Sequence, residues 1–345
     1  MRILPLLIGL CAVTSALSAP APKFQKLQEI PIPGDGGWDI LTVDAPARRL
    51  YVSHATEVVV VDMDANRVVG EIADTPGVHT FFPLPGGERG FSSNGKENTA
   101  SVVDLKTLKT ISKVETGPGP DAIAYDGSRG EVYVFNHKGN SVTMIDAKSA
   151  KAVATVALGG SPEFGVADEK GGRVYCNLED KSEVVAIDTA THEVVARWPL
   201  GPGEGPSGIA LDAVHHRLFS TCDNELMMML NTESGKVVAS VPIGDHVDGC
   251  AFDEAGQLVF ASCGDGTTTV AHEDGPERLS VVQVVETERS ARTMALDPKT
   301  QRIYLASAQF ESPPIAAPGA TPSRPKMVPN TMKLLVYGPA AAKTN

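Results

Sequence analysis

"RVYCN", residues 173–177, has close relatives along the whole chain: "RLYVSH" at 49–54, "RGFSSN" at 89–94, "EVYVFN" at 131–136, "RLFSTC" at 217–222, "LVFASC" at 258–263 and "RIYLAS" at 302–307. Their aromatic residues are Tyr51, Phe91, Tyr133, Tyr175, Phe219, Phe260 and Tyr304, spaced by 40, 42, 42, 44, 41 and 44 residues. A period of about 40 residues marks a repeated supersecondary unit that buries its core against its neighbours. Around each aromatic anchor the same order returns. A Gly/Pro turn leads into a short apolar strand such as "DAIAYD" (121–126), then the anchor strand. A β-branched strand follows, ending at Asp62, Asp104, Asp146, Asp188 or Asn231, and then a "T-x-K-V-V"-like outer strand.

Short apolar and β-branched runs bounded by Gly, Pro and Asp read as strands, and four of them per period make one blade. Seven such units fill residues 31–337. The fold class expected is therefore all-β: a seven-bladed β-propeller with four antiparallel strands per blade, whose radial closure hides the sheet edges. The last unit is one strand short. "MKLLVYG" (332–338) supplies its third strand and the chain then ends, while "KFQKLQEIPI" (23–32) is a spare outer strand at the other end. The N-terminal strand is expected to complete blade 7. Residues 310–329, "FESPPIAAPGATPSRPKMVP", are too rich in proline to continue the sheet and are expected to form a loop inside that blade. Residues 339–345 are expected to form a flexible tail.

The stretches "YVSH", "YVFN", "VVAID" and "KVVASVPIG" resemble YVTN-type β-propeller repeats. Over about residues 24–338 the chain is similar to the exported YncE-like proteins of bacteria. The resemblance implies a closed propeller. It names no reaction, since propellers of this kind include binding modules and enzyme subunits.

The first residues, "MRILPLLIGLCAVTSALSAPAP", combine an early Arg, an apolar run and small residues, the build of a secretory signal peptide. Cleavage is expected after Ser18, leaving a single propeller over 19–338 in the periplasm or secreted, with no transmembrane segment. Beyond the leader four cysteines remain, Cys176, Cys222, Cys250 and Cys263, too irregular for a disulfide scaffold. Cys222 and Cys250 are one candidate bridge, or a soft-metal thiolate pair, against the plainer alternative of buried apolar thiols. A net charge of −12 argues against a nucleic-acid partner. A monomer is expected, with room for a periplasmic protein partner.

The chemistry is expected at one end of the channel. The first strand of every propeller blade faces the central channel, and its leading position reads Asp39, His79, Asp121, Glu163, Ser207, Asp248 and Arg292. Six of the seven are ionisable, and carboxylates around a narrow mouth repel one another until a cation compensates. Such a ring suits a divalent metal (zinc, copper or calcium), a small polar ligand, or acid/base work. The candidate metal ligands are His54, His79, Asp39, Asp121, Glu163, His246 and Asp248. The candidate catalytic set is His79, Glu163, Asp121 and Arg292, for a lyase or hydrolase in which a carboxylate or His79 takes a proton and Arg292 or a metal stabilises the anion. The alternative is that the ring only keeps the channel wet. Loop residues just past the anchor strands, including Asn136 with His137, Asn177 with Glu179 and Cys222 with Asp223, form a second layer. Asp44, Asp126, Asp168, Asp212, Asp253 and Asp297 read as turn caps, and His215 and His216 as exposed surface. "GPGEGP" (201–206) precedes no helix and reads as a blade crossover.

Overall fold

The anchor strands are buried almost along their whole length, because both faces of a blade are covered by its neighbours. Glu131–Asn136 buries Tyr133 and Phe135 completely, while the outer strand Lys151–Ala157 of the same sheet is mostly exposed. That gradient explains why inner strands read as continuous apolar runs and outer strands alternate. The computed structural model describes residues 22–311 and 325–340. Its strands form seven four-stranded antiparallel sheets. Blades 1 to 6 span residues 38–72, 78–115, 120–157, 162–199, 206–242 and 247–286 in simple meanders.

Blade 7 is composite. Met294–Asp297 lies innermost, followed by Arg302–Ser307, Lys333–Pro339 and, outermost, the N-terminal strand Phe24–Pro31. The closing pair runs from Phe24 opposite Pro339 to Pro31 opposite Lys333. Gln283 of blade 6 clamps the start of that strand, accepting from the Phe24 N–H at 2.8 Å and donating to its carbonyl at 2.9 Å. The Phe24 ring meets Phe260 edge-on at 5.0 Å. The spare strand thus fills the place expected of it.

Cores lie between blades. Tyr51 of blade 1 packs on Phe81 of blade 2 at 4.8 Å, and one cluster joins Tyr304 and Leu334 of blade 7 to Leu50 and Val61 of blade 1, closing the ring. The "LMMML" run is core, with Met227, Met228 and Met229 fully buried. The repeated turn aspartates cap backbone N–H groups: Asp44 accepts from Ala47, Asp126 from Ser128 and Asp168 from Gly171.

The base of the proline-rich segment is a two-stranded neck in which Phe310 bridges Met327, and Phe310 lies 6.1 Å from Trp38. The expected signal peptide (1–18), most of the proline-rich segment (312–324) and the part of the expected tail beyond 340 lie outside the described residues. Among the described residues no helix is long and apolar enough to cross a membrane.

Candidate functional site: a charged channel mouth

The innermost strands neighbour one another around the ring, and each begins with a defect. In blades 1 to 6 the pairing with the second strand skips from Trp38 to Leu41, Val78 to Phe81, Pro120 to Ile123, Pro162 to Gly165, Pro206 to Ile209 and Val247 to Gly249. A break of this kind bends the strand and re-aims a side chain. The residue just inside it is Asp39, His79, Asp121, Glu163, Ser207 or Asp248, and all six line one cavity of about 360 Å³. Arg292, two residues before the shorter inner strand of blade 7, joins them.

The preceding blade grips the backbone at three of these positions. The Ser93 hydroxyl donates to the Asp121 carbonyl, the Asn177 amide to the Ser207 carbonyl at 2.8 Å, and the Ser262 hydroxyl to the Arg292 carbonyl. These Ser and Asn side chains in the anchor strands therefore position the mouth as well as satisfying backbone.

The charges are organised as pairs. His79 Nδ1 lies 2.5 Å from Asp39 Oδ2 and 3.7 Å from Asp121 Oδ1. His137 Nδ1 lies 2.8 Å from Glu163 Oε1, and Arg292 Nε 3.3 Å from Asp248 Oδ2, which leaves the other Asp248 oxygen to accept from Ser207 at 2.9 Å. Asp121 alone has no close cation of its own. Burial pushes its pKa up to about 6, against the pull of His79. Burial likewise raises Asp39 and Glu163, and takes Asp248 to about 6. Hydrogen bonds to Asp39 and Glu163 respectively hold His79 and His137 protonated up to about 9.

Two groups within this mouth have metal-ligand geometry. One ligand atom each from Asp39, His79 and Asp121 lies within 4.8 Å of the others, and the same holds for His137, Glu163 and Glu179. His137 is the residue that the sequence left in the second layer, and it proves to be the partner of Glu163. Glu179 and Asp223 also line the cavity. Their signal was positional: each sits one or two residues past an anchor strand or its Asn/Cys end.

One expected ligand is not found at the mouth. His54 is not part of the cavity lining; it is buried beneath Gly34 and Gly36, with Nδ1 3.5 Å from Glu57, because its strand end is covered by the blade 1 entry loop. His246 does reach the cavity but is largely exposed at its edge, 3.5 Å from Asp245. The Cys222–Cys250 bridge is not formed: all four described cysteines are free thiols. Burial pushes Cys222 up to about 12 and raises Cys176 and Cys250 as well, so none is poised as a thiolate ligand.

The fold and the mouth together define a seven-bladed β-propeller with an ion-paired carboxylate, imidazole and guanidinium ring at one end of its channel. The chain is similar in fold to a chain of the Kuenenia stuttgartiensis hydrazine synthase structure, at 19% identity and TM-score 0.69, over 79% of this chain and 94% of that one. A chain of a mitotic checkpoint complex (10% identity, TM-score 0.74, 98% of each chain) and the RRP9 WD40 repeats (10% identity, TM-score 0.72, 91% of this chain and 98% of that one) are similar as well. No family model and no curated protein matches the chain. At these identities the likeness speaks for the fold and carries nothing about chemistry.

Proposed function

We propose that this protein is an exported, periplasmic propeller of the YncE-like type whose channel mouth binds a divalent metal ion, with zinc or copper ahead of calcium. One observation carries the reading: Asp39, His79 and Asp121 bring an imidazole nitrogen and two carboxylate oxygens within 4.8 Å of one another in a cavity of about 360 Å³. A nitrogen donor among carboxylates suits zinc or copper, whereas calcium prefers an all-oxygen set. Asp39 and Asp121 supply negative charge, and the metal takes the place of the proton that His79 holds between them. The open remainder of the cavity gives the ion room for a small polar ligand. Elemental analysis of protein purified from the periplasm without chelator tests the reading. At least one equivalent of zinc or copper is expected, and metal-free protein that also fails to take up either ion would sink it.

A second reading is acid/base catalysis by a lyase or hydrolase. It is favoured by the contrast between Asp121, titrating at about 6, and His79, protonated up to about 9. In this arrangement Asp121 is the base, His79 is the acid, and Arg292, half-exposed beside Asp248, faces a developing anion. Turnover that survives complete removal of metal would favour it over the first reading.

A further inference from the structure

The opposite face of the propeller carries a feature that the repeat does not require. The third and fourth strands of blade 6, Thr267–Gly275 and Arg278–Glu286, have nine residues each, where the corresponding strands of blades 1 to 5 have six or seven. The extra length is a hairpin tip that leans over the first turn of blade 5. Arg217 of blade 5 ties it down, donating to the Pro276 carbonyl at 2.9 Å and to the His215 and His216 carbonyls at 2.8 and 2.9 Å.

Beneath the tip lies Glu273. Its backbone N–H donates to the carbonyl of Gln257, just as Met63 donates to Arg48, Leu105 to Glu88, Ala147 to Gly130, Thr189 to Gly172 and Thr232 to His216. Glu273 therefore occupies a position that the other five blades fill with Met, Leu, Ala or Thr. It is 6% exposed, and its Oε2 is buried with no donor group in reach, so that burial and the facing Asp212 carboxylate, with which it can only share a proton, push its pKa up to about 7. A buried carboxylate oxygen left unpaired is costly. Nothing in the repeat compels that cost.

Its neighbours supply the rest of a site. Asp212, 1% exposed, caps the turn with Oδ1 and meets His215 Nδ1 with Oδ2 at 2.6 Å. One ligand atom each from Asp212, His215 and Glu273 lies within 4.8 Å of the others, beside a cavity of about 380 Å³ that opens past the half-exposed His215 ring. Arg217 makes no ion pair with either carboxylate among the described residues, its contacts being carbonyls. The sequence reading of Asp212 as a turn cap and His215 as surface describes each alone. Glu273, from another blade, makes them a set.

We propose that a divalent transition-metal ion, with zinc's preference for mixed nitrogen and oxygen donors, binds between Asp212, His215 and Glu273 and pins the blade 6 hairpin to the blade 5 turn. Three protein donors leave a fourth tetrahedral position to water through the open side of the cavity. Metal binding would satisfy the orphaned Glu273 oxygen and neutralise two carboxylates that otherwise face each other across a buried gap.

The test uses the full protein carrying Asp121→Asn and Glu163→Gln, so that uptake at the channel mouth does not mask this site. After chelator treatment it is titrated with zinc alone. One equivalent is expected to bind, to slow hydrogen exchange at residues 273–278, and to be lost on adding Glu273→Gln. Glu273→Met, which restores the residue type of Met63, provides a second variant that is expected to fold and equally to lose zinc. No zinc uptake by the parent, the result if the two carboxylates only share a proton, overturns the proposal. So does undiminished uptake by the folded Gln or Met variant.

Discussion

Asp39 and His79, the second residues of the innermost strands of blades 1 and 2, meet at 2.5 Å across the blade boundary. Glu163 with His137 and Asp248 with Arg292 repeat the motif. The mouth thus carries its own counter-ions, and Asp121 is the ring carboxylate whose nearest cation stands farthest off, His79 Nδ1 at 3.7 Å. An incoming cation has to compete with a proton on His79, which decides how the site responds to pH.

The space that His79 occupies is provided by a glycine. A Cβ at Gly95 would lie 2.7 Å from His79 Nε2 and 3.3 Å from the Gly77 carbonyl, so Gly95→Ala should push the imidazole off Asp39. Unchanged far-ultraviolet circular dichroism with zinc affinity lowered tenfold or more is expected. Full affinity in the alanine variant would show that the ring position is immaterial.

Stability of the metal-free protein should fall as the solution turns alkaline. His79 and His137 titrate near 9 in the folded protein, above the ordinary histidine value of about 6.5. Their contribution is complete below about 6.5 and is lost as pH rises through about 9. In chelator, Tm should therefore drop between pH 6.5 and 9.5. His137→Gln, which deprives Glu163 of its cation, should start lower and drop less. A flat or rising Tm over that range in the parent protein would contradict the pairing.

The closing strand should matter more than its terminal position suggests. Phe24, Ile30 and Ile32 are each 3% exposed or less, and full burial of such side chains is worth about 1.5–3 kcal/mol apiece. Removing residues up to 32 also uncovers the edge of Lys333–Pro339. A large loss of Tm and a tendency to aggregate are expected, and a truncated protein that melts like its parent would rule the closure out as a stabilising element.

Replacing residues 312–324 by a short Gly-containing turn should leave the propeller intact. The neck at Phe310 and Met327 already holds the two flanking strands, and loop length enters the closure entropy only slowly. Collapse of the β signal on replacement would show that the segment is packed into the body.

The fold was legible because a repeat amplifies weak signals. One strand pattern is ambiguous, whereas seven aromatic anchors at near-constant spacing and one missing strand matched by one spare strand leave few solutions. The ring of Asp39, His79, Asp121, Glu163, Ser207, Asp248 and Arg292 followed from the same register, since equivalent positions must share one rim. What lay hidden depends on contacts between blades or on local covering. His137 is a loop residue whose value comes from Glu163 in the next blade. His54 has the right residue type at a strand end that its own entry loop buries. Glu273 is conspicuous only once hydrogen bonds align it with Met63 and Thr232. No period in the sequence reports on those.

The most direct test of metal binding at the channel mouth is calorimetric titration of zinc, copper and calcium into the chelator-treated parent protein and into the Asp121→Asn, Glu163→Gln double variant. Both substitutions keep the size of the side chain, and Asp121→Asn removes a carboxylate whose pKa burial has raised, so the variant should fold, with a lower Tm from the lost Glu163–His137 pair. Loss of one desolvated charge partner changes binding by about 2–5 kcal/mol. Zinc or copper is expected to bind the parent at the mouth, with affinity there lowered at least tenfold in the variant, and in the parent falling as pH drops below about 9, where His79 takes up its proton. Equal titration curves for the two proteins with every ion, or no heat with any of them, would contradict it and leave the ring as a device for keeping the channel wet.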